Sequence, residues 1–162
     1  VIGSMKLLDF VVSDAILPQL SATTRDEAVE EMVAALVAAG AAPKSLHEDL
    51  VKQILQREKH GSTGFGKGVA VPHVKHEKVK KMAAAVAVSP AGIDFNALDK
   101  QPVYSIFLLL SPKDKPEEHL QAMEVIFSNL QKDTFRRFLR QSATRQDIEE
   151  LLSEADSQQL TS

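Results

Sequence analysis

From Thr24 to Gly40 apolar residues return at helical spacing, at Ala28, Met32, Ala35, Leu36 and Ala39, with polar positions between them. Thr24 followed three residues later by Glu27 has the form of a capping box, and Gly40 offers a stop, so the pattern predicts a helix here. Ser45 and Glu48 repeat the box and predict a second helix, with Leu50, Val51, Ile54 and Leu55 on its apolar face. Lys52, Arg57 and Lys59 suit its negative end, and Arg57 stands where helix gives way to loop. The period then changes. Val69-Ala70-Val71 is a short apolar run cut by Pro72, and Met82 to Val88 is an unbroken one closed by Ser89-Pro90-Ala91-Gly92. Val103 to Leu110 begins β-branched and aromatic and ends apolar on both faces, which predicts a central strand. Between these runs, Val74 to Lys81 reads as an exposed basic connection and Ile93-Asp94-Phe95 as a short edge piece.

Helical spacing resumes after Pro116 at Leu120, Met123, Ile126, Phe127 and Leu130, which sets His119 in the first turn, one residue before the stripe. Asp133 is expected to cap a short helix through Phe135 and Leu139, and Thr144 with Asp147 to open a last one holding Ile148, Leu151 and Leu152. Leu7 to Val12 is apolar but too short to assign. Helices and strands alternate without repeat or linker, so the expectation is one α/β domain around a mixed sheet of parallel and antiparallel strands. It spans residues 5–155, after an expression-tag remnant at 1–4 and before a frayed polar tail at 156–162.

Composition narrows the function classes. The 162 residues are 44% hydrophobic and 25% charged, as in an ordinary globular domain. A formal charge of -3 and a pI near 6.0 give no sign of a nucleic-acid partner. The absence of cysteine removes disulfides, thiolate metal sites and a cysteine nucleophile, and fits a cytoplasmic protein. No apolar run approaches the ~20 residues of a membrane span, so no membrane insertion is expected.

Chemistry gathers in Arg57 to His76. Four glycines, Gly61, Gly64, Gly66 and Gly68, with Ser62 and Thr63 between the first two, make a backbone able to approach a ligand closely. Two nucleotide motifs fail here. A P-loop begun at Gly61 meets Gly68 where serine or threonine must hold magnesium, and a dinucleotide fingerprint begun at Gly64 meets Val69. Of the five histidines, His47 and His60 read as surface residues. His73 and His76 together lack the third ligand that zinc requires, so no metal or other cofactor is predicted. His73 follows a proline at a strand end, where the plain alternative is a packed structural histidine. Neutral imidazole is nucleophilic near pH 7, and phosphoryl transfer to it asks mainly for positioning and positive groups, which Arg57, Ser62, Thr63 and loop N–H groups can supply.

The run R-E-K-H-G-S-T-G-F-G-K-G-V-A-V-P-H resembles the active segment of the type-2 EIIA domains of the bacterial sugar phosphotransferase system (PTS), the mannitol and fructose group. Within that group it is most similar to the nitrogen-regulatory branch with its R-E-x-x-G-S-T-G-x-G motif. I-D-F-x-A-x-D-x-Q-P-V from Ile93 and E-H-L from Glu118 extend the likeness from Met5 to about Leu152. The resemblance implies a mixed sheet with helices on both faces and a phosphotransferase of the phosphohistidine-carrier kind. His73 would take a phosphoryl group from the carrier protein HPr, His119 would orient the imidazole or phosphoryl, and Arg57 would act as a positive clamp. The group then passes to an EIIB domain, or its state is read by a regulatory protein. Because the chain stops without a IIB-like cysteine domain or spans, the regulatory role is favoured over a sugar-transport EIIA. One departure stands out: Val74 occupies the place where the family usually has glycine. If φ there must be positive, phosphorylation is impaired and the protein is a pure binding module.

Overall fold

The computed structural model describes residues 5–158, so the expected tag remnant at 1–4 and the last four residues of the tail lie outside the described residues. Its centre is the strand predicted from Val103, here β6 (Val103–Pro112). β5 (Ala83–Ile93) runs antiparallel along one side of β6. Two short strands, β3 (Val69–Ala70) and β4 (His73–His76), run parallel along the other. β1 (Val11–Leu17) adds parallel to β5 and β2 (Gly64–Gly66) antiparallel to β3, giving the order β1-β5-β6-β3-β2 with β4 beside β6.

The unbroken apolar runs follow from burial on both faces. Ile106, Leu108 and Leu110 of β6 pack into one core with α1 (Arg25–Ala38) and α2 (His47–Lys59). Phe107 and Leu109 enter the opposite core with α3 (Pro116–Leu130), α4 (Asp133–Gln141) and α5 (Arg145–Asp156). The domain is therefore the α/β mixed sheet with helices on both faces that the resemblance implied.

Several local expectations are corrected. α2 starts at His47 without a side-chain cap, because Lys44–Leu46 forms a 3-10 turn where Ser45 was to cap. The basic connection after His73 begins as β4, with Val74 and His76 buried and Lys75 exposed. β5 continues through Ser89-Pro90-Ala91-Gly92 to Ile93, since a register shift after Val88 absorbs the turn residues and Pro90 lies exposed there. Lys132, not Asp133, is the N-cap of α4. The apolar stripe of α3 is rotated. His119, Ala122, Ile126, Asn129 and Leu130 are buried, whereas Leu120 is 61% exposed, so His119 turns inward. Leu7 to Val12 resolves into a 3-10 turn, Leu7–Asp9, and the start of β1. Nor is the chain frayed at Asp156. Its carboxylate accepts from the N–H groups of Leu7 and Leu8 at 2.7 and 2.9 Å, pinning α5 to that turn.

Candidate functional site

His73 is fixed by the break between β3 and β4. Pro72 interrupts the edge of β6 while its carbonyl accepts from Leu109 N–H at 3.0 Å, so the chain re-enters the sheet at His73. His73 Nδ1 lies 2.8 Å from the carbonyl oxygen of Val71. A carbonyl only accepts, so Nδ1 carries the proton and the neutral ring presents its lone pair at Nε2.

His119, on the first turn of α3, brings its ring to 5.5 Å from that of His73, centroid to centroid, at 49°. Its Nδ1 is 2.6 Å from Ser111 Oγ near the end of β6. Ser111 is wholly buried, and its hydroxyl has no other partner among the described residues. Were Nδ1 protonated, the serine proton would be buried without an acceptor, at a cost of ~1–3 kcal/mol. Ser111 therefore donates to Nδ1, and the His119 proton sits on Nε2. Burial, followed by repulsion from His73 when that ring is protonated and from Lys75, pushes the His119 pKa from 6.5 down to about 4, so the ring is neutral at pH 7. No buried side-chain nitrogen or oxygen among the described residues lacks a partner. Nε2 of each ring, unpartnered in the protein, therefore meets solvent. The two rings thus offer a lone pair on one imidazole and an N–H on the other, with their centroids 5.5 Å apart.

The loop is built differently from expectation. Arg57 stands exposed on the last turn of α2 and donates to the Gly61 carbonyl at 2.7 Å, with no hydrogen bond to either imidazole. Ser62 donates to the Phe95 carbonyl at 2.8 Å and accepts from Gly64 N–H. Thr63 gives both its N–H and its hydroxyl to Glu58, a carboxylate only 2% exposed. The hydroxyl protons of Ser62 and Thr63 are thus spent on loop architecture. Gly64 is required by closeness, since a Cβ there would lie 3.0 Å from Ala97 Cβ. Phe65 packs on Phe127 with centroids 4.9 Å apart, joining the loop to the helix that carries His119. Glu58 and Ser111 were missed from the sequence. A glutamate in a polar helix end and a Ser-Pro after a strand carry no signal until the fold seals them in.

His76 belongs elsewhere. Three residues along a strand it faces the opposite side from His73, where its Nε2 donates to Asp49 at 2.7 Å and its Nδ1 accepts from Lys78 N–H at 3.0 Å. The His76 hydrogen bond holds the Asp49 carboxyl below its ordinary pKa. Both ring nitrogens are taken, and among the described residues no three His, Cys, Asp or Glu side chains are grouped to hold a metal. His47 is half-buried, 3.7 Å from Glu30, and His60 is exposed.

Residues 9–155 match the model of a family described as the phosphoenolpyruvate-dependent sugar phosphotransferase system, EIIA 2. The chain belongs to that family. This EIIA domain is 37% identical over 150 residues to a nitrogen regulatory protein of Bradyrhizobium diazoefficiens, covering 92% of this chain and 95% of the relative. Its fold superposes on the crystal structure of the nitrogen regulatory protein IIA-Ntr from Neisseria meningitidis with a TM-score of 0.80. The identity there is 27%, with 89% and 97% of the two chains covered. The Escherichia coli mannitol enzyme IIA, solved in complex with phosphorylated enzyme IIB, shares the fold at a TM-score of 0.74 and 21% identity, over 88% and 96%. Among the described residues no helix of this EIIA domain is long and apolar enough to cross a membrane.

Proposed function

We propose that this EIIA domain accepts a phosphoryl group on His73 Nε2 from the phosphohistidine of an HPr-like carrier in the cytoplasm. The Nε2 lone pair attacks phosphorus, a new P–N bond forms as the donor's P–N bond breaks, and the donor nitrogen recovers its electron pair. The proton of His73 stays on Nδ1 throughout, donated to the Val71 carbonyl. His119 donates from Nε2 to an equatorial phosphoryl oxygen, and as a neutral ring it does so without placing a buried cation in the site. Arg57 acts through the Gly61 carbonyl it braces and through its positive charge at the loop mouth. Ser62 and Thr63 serve by shaping the loop. The single observation that carries this reading is the tilted pairing of a half-buried His73 with a buried His119 at 5.5 Å.

Downstream, the phosphoryl group passes to an EIIB-like acceptor or its presence is read by a regulatory protein. Similarity to two nitrogen regulatory proteins favours the second. The alternative of a non-phosphorylated binding module rested on Val74, and that support is gone. Val74 takes an ordinary strand conformation within β4, where a β-branched residue is at home, and its side chain is buried. Incubation with enzyme I, HPr and phosphoenolpyruvate is expected to add one acid-labile, alkali-stable phosphoryl group that His73→Ala abolishes. A protein that stays unmodified, or a modification that survives His73→Ala, overturns the proposal.

A further inference from the structure

A second cleft, of about 660 Å³, lies between the Lys67–Gly68 turn that joins β2 to β3, the first half of β6, and α4. Its size is that of a small-ligand site, for which roughly 300–1,000 Å³ is usual. Ser105 on its floor precedes by four positions the Leu109 that pairs with His73, which sets the cleft on the order of 13 Å along the sheet from the imidazoles.

Its walls are cationic by construction. Arg136, Arg137 and Arg140 line the cleft from one face of α4, and Lys67 faces them from the turn. Two of the guanidinium groups are held in place by the fold. Arg136 donates to the Leu130 carbonyl at 2.8 Å and to Asp133 at 3.0 Å. The Arg140 guanidinium lies 3.4 Å from the centroid of the Tyr104 ring. Tyr104 itself sits where only glycine leaves room, since a Cβ on Gly92 would come within 2.8 Å of the ring. Asp133 is the one carboxylate in the lining, and Arg136 already pairs with it. The cleft thus gathers three uncompensated positive charges on a chain whose net charge is -3. Like charges held together in a concavity repel one another and focus the field on an anion.

We propose that this cleft binds a diphosphate group, free or esterified. Planar guanidinium forks suit phosphate oxygens through paired hydrogen bonds. A single phosphate ester, at ~1.5–2 negative charges, leaves the lining under-neutralised. A diphosphate brings about three. The concave form and small volume favour a small molecule over an acidic protein segment or a nucleic acid, either of which needs a broader face. The site does not depend on the role proposed for His73.

The test is titration of the full chain with inorganic pyrophosphate, and separately with a nucleoside diphosphate, in about 0.15 M salt to screen loose surface attraction. Calorimetry and amide spectra are read together. Saturable one-to-one binding that shifts the Gly68, Tyr104 and Arg140 resonances is expected, and the tighter ligand tells free from esterified diphosphate. Arg137→Gln and Arg140→Gln should each weaken it about tenfold, the loss of one charge-assisted contact. Arg137 is exposed and carries no tertiary hydrogen bond, so its replacement leaves the fold intact. His73→Ala should leave the affinity unchanged, which separates this site from the phosphoryl pocket. Absence of saturable binding by both ligands overturns the proposal. So does binding that survives both arginine replacements, or tighter binding of an acidic peptide or duplex DNA than of pyrophosphate.

Discussion

Ser111 decides which proton His119 can offer. Its buried hydroxyl has one partner among the described residues, and donating to Nδ1 leaves the proton on Nε2, the atom proposed to meet the phosphoryl group on His73. Ser111→Ala removes that constraint without opening a large cavity, so His119 will populate both tautomers. The rate of phosphoryl uptake from phosphorylated HPr should fall about tenfold, the worth of one modest hydrogen bond. Ser111→Thr keeps the hydroxyl and should restore most of the rate. Nitrogen spectra of the imidazoles provide a readout that a merely structural serine would not move. Wild-type His119 should show protonated Nε2 and bare Nδ1, and a wild-type ring protonated on Nδ1 would refute the argument. At this scale His73 was legible because Val-Pro-His placed it at a strand end. Its partners were less so, since the helical stripe set His119 at the edge of the apolar face and the fold rotates that face to bury it.

Among the elements, those with reciprocal caps were readable in advance. Thr144 accepts from Asp147 N–H at 3.1 Å, and Asp147 accepts from the N–H groups of Ala143 and Thr144, which hold its carboxyl below the usual range. Thr144→Ala should cost about 1 kcal/mol, read as a lower denaturation midpoint with unchanged cooperativity. Phosphoryl uptake should be untouched, because α5 packs against β1 and the 3-10 turn, on the far side of the second core from His73. Thr24 caps α1 by accepting from Glu27 N–H, but the expected box does not close there, since the Glu27 carboxylate accepts from Thr23 and not from Thr24 N–H. Ser45 with Glu48 has the same spelling yet caps nothing, because a 3-10 turn seats Leu46 in the core first. Two strands were misread for the opposite reason, that local chemistry spoke against them. His73-Val74-Lys75-His76 looks like a basic loop, and only its pairing with the end of β6 makes it a strand. Pro90 and Gly92 look like a stop, and a bulge carries β5 past them.

Taken over the whole molecule, the site is a standing debt against acid stability. His119 binds its proton at about pH 4 in the folded chain and at an ordinary 6.5 when unfolded. Between those values the unfolded chain holds more protons, so stability falls with falling pH. The contribution is complete above pH 6.5 and gone below about pH 4. From pH 7.5 to 5 the expected loss is on the order of 2 kcal/mol. Glu27, Asp49 and Asp147, all with carboxyls held below their ordinary pKa, act in a lower window. They stabilise above the usual carboxylate range and lose that as pH drops through it, after the histidine step is spent. The two steps can be separated with His119→Gln, whose side-chain amide keeps an N–H where Nε2 stood but cannot titrate. The urea midpoint of the wild type should fall relative to that of the variant between pH 7.5 and 5 and on to about pH 4, and below that the two should fall in parallel. If the variant shows the same decline between pH 7.5 and 5, the buried imidazole is not its source, and the neutral His119 on which phosphoryl transfer was argued loses its footing.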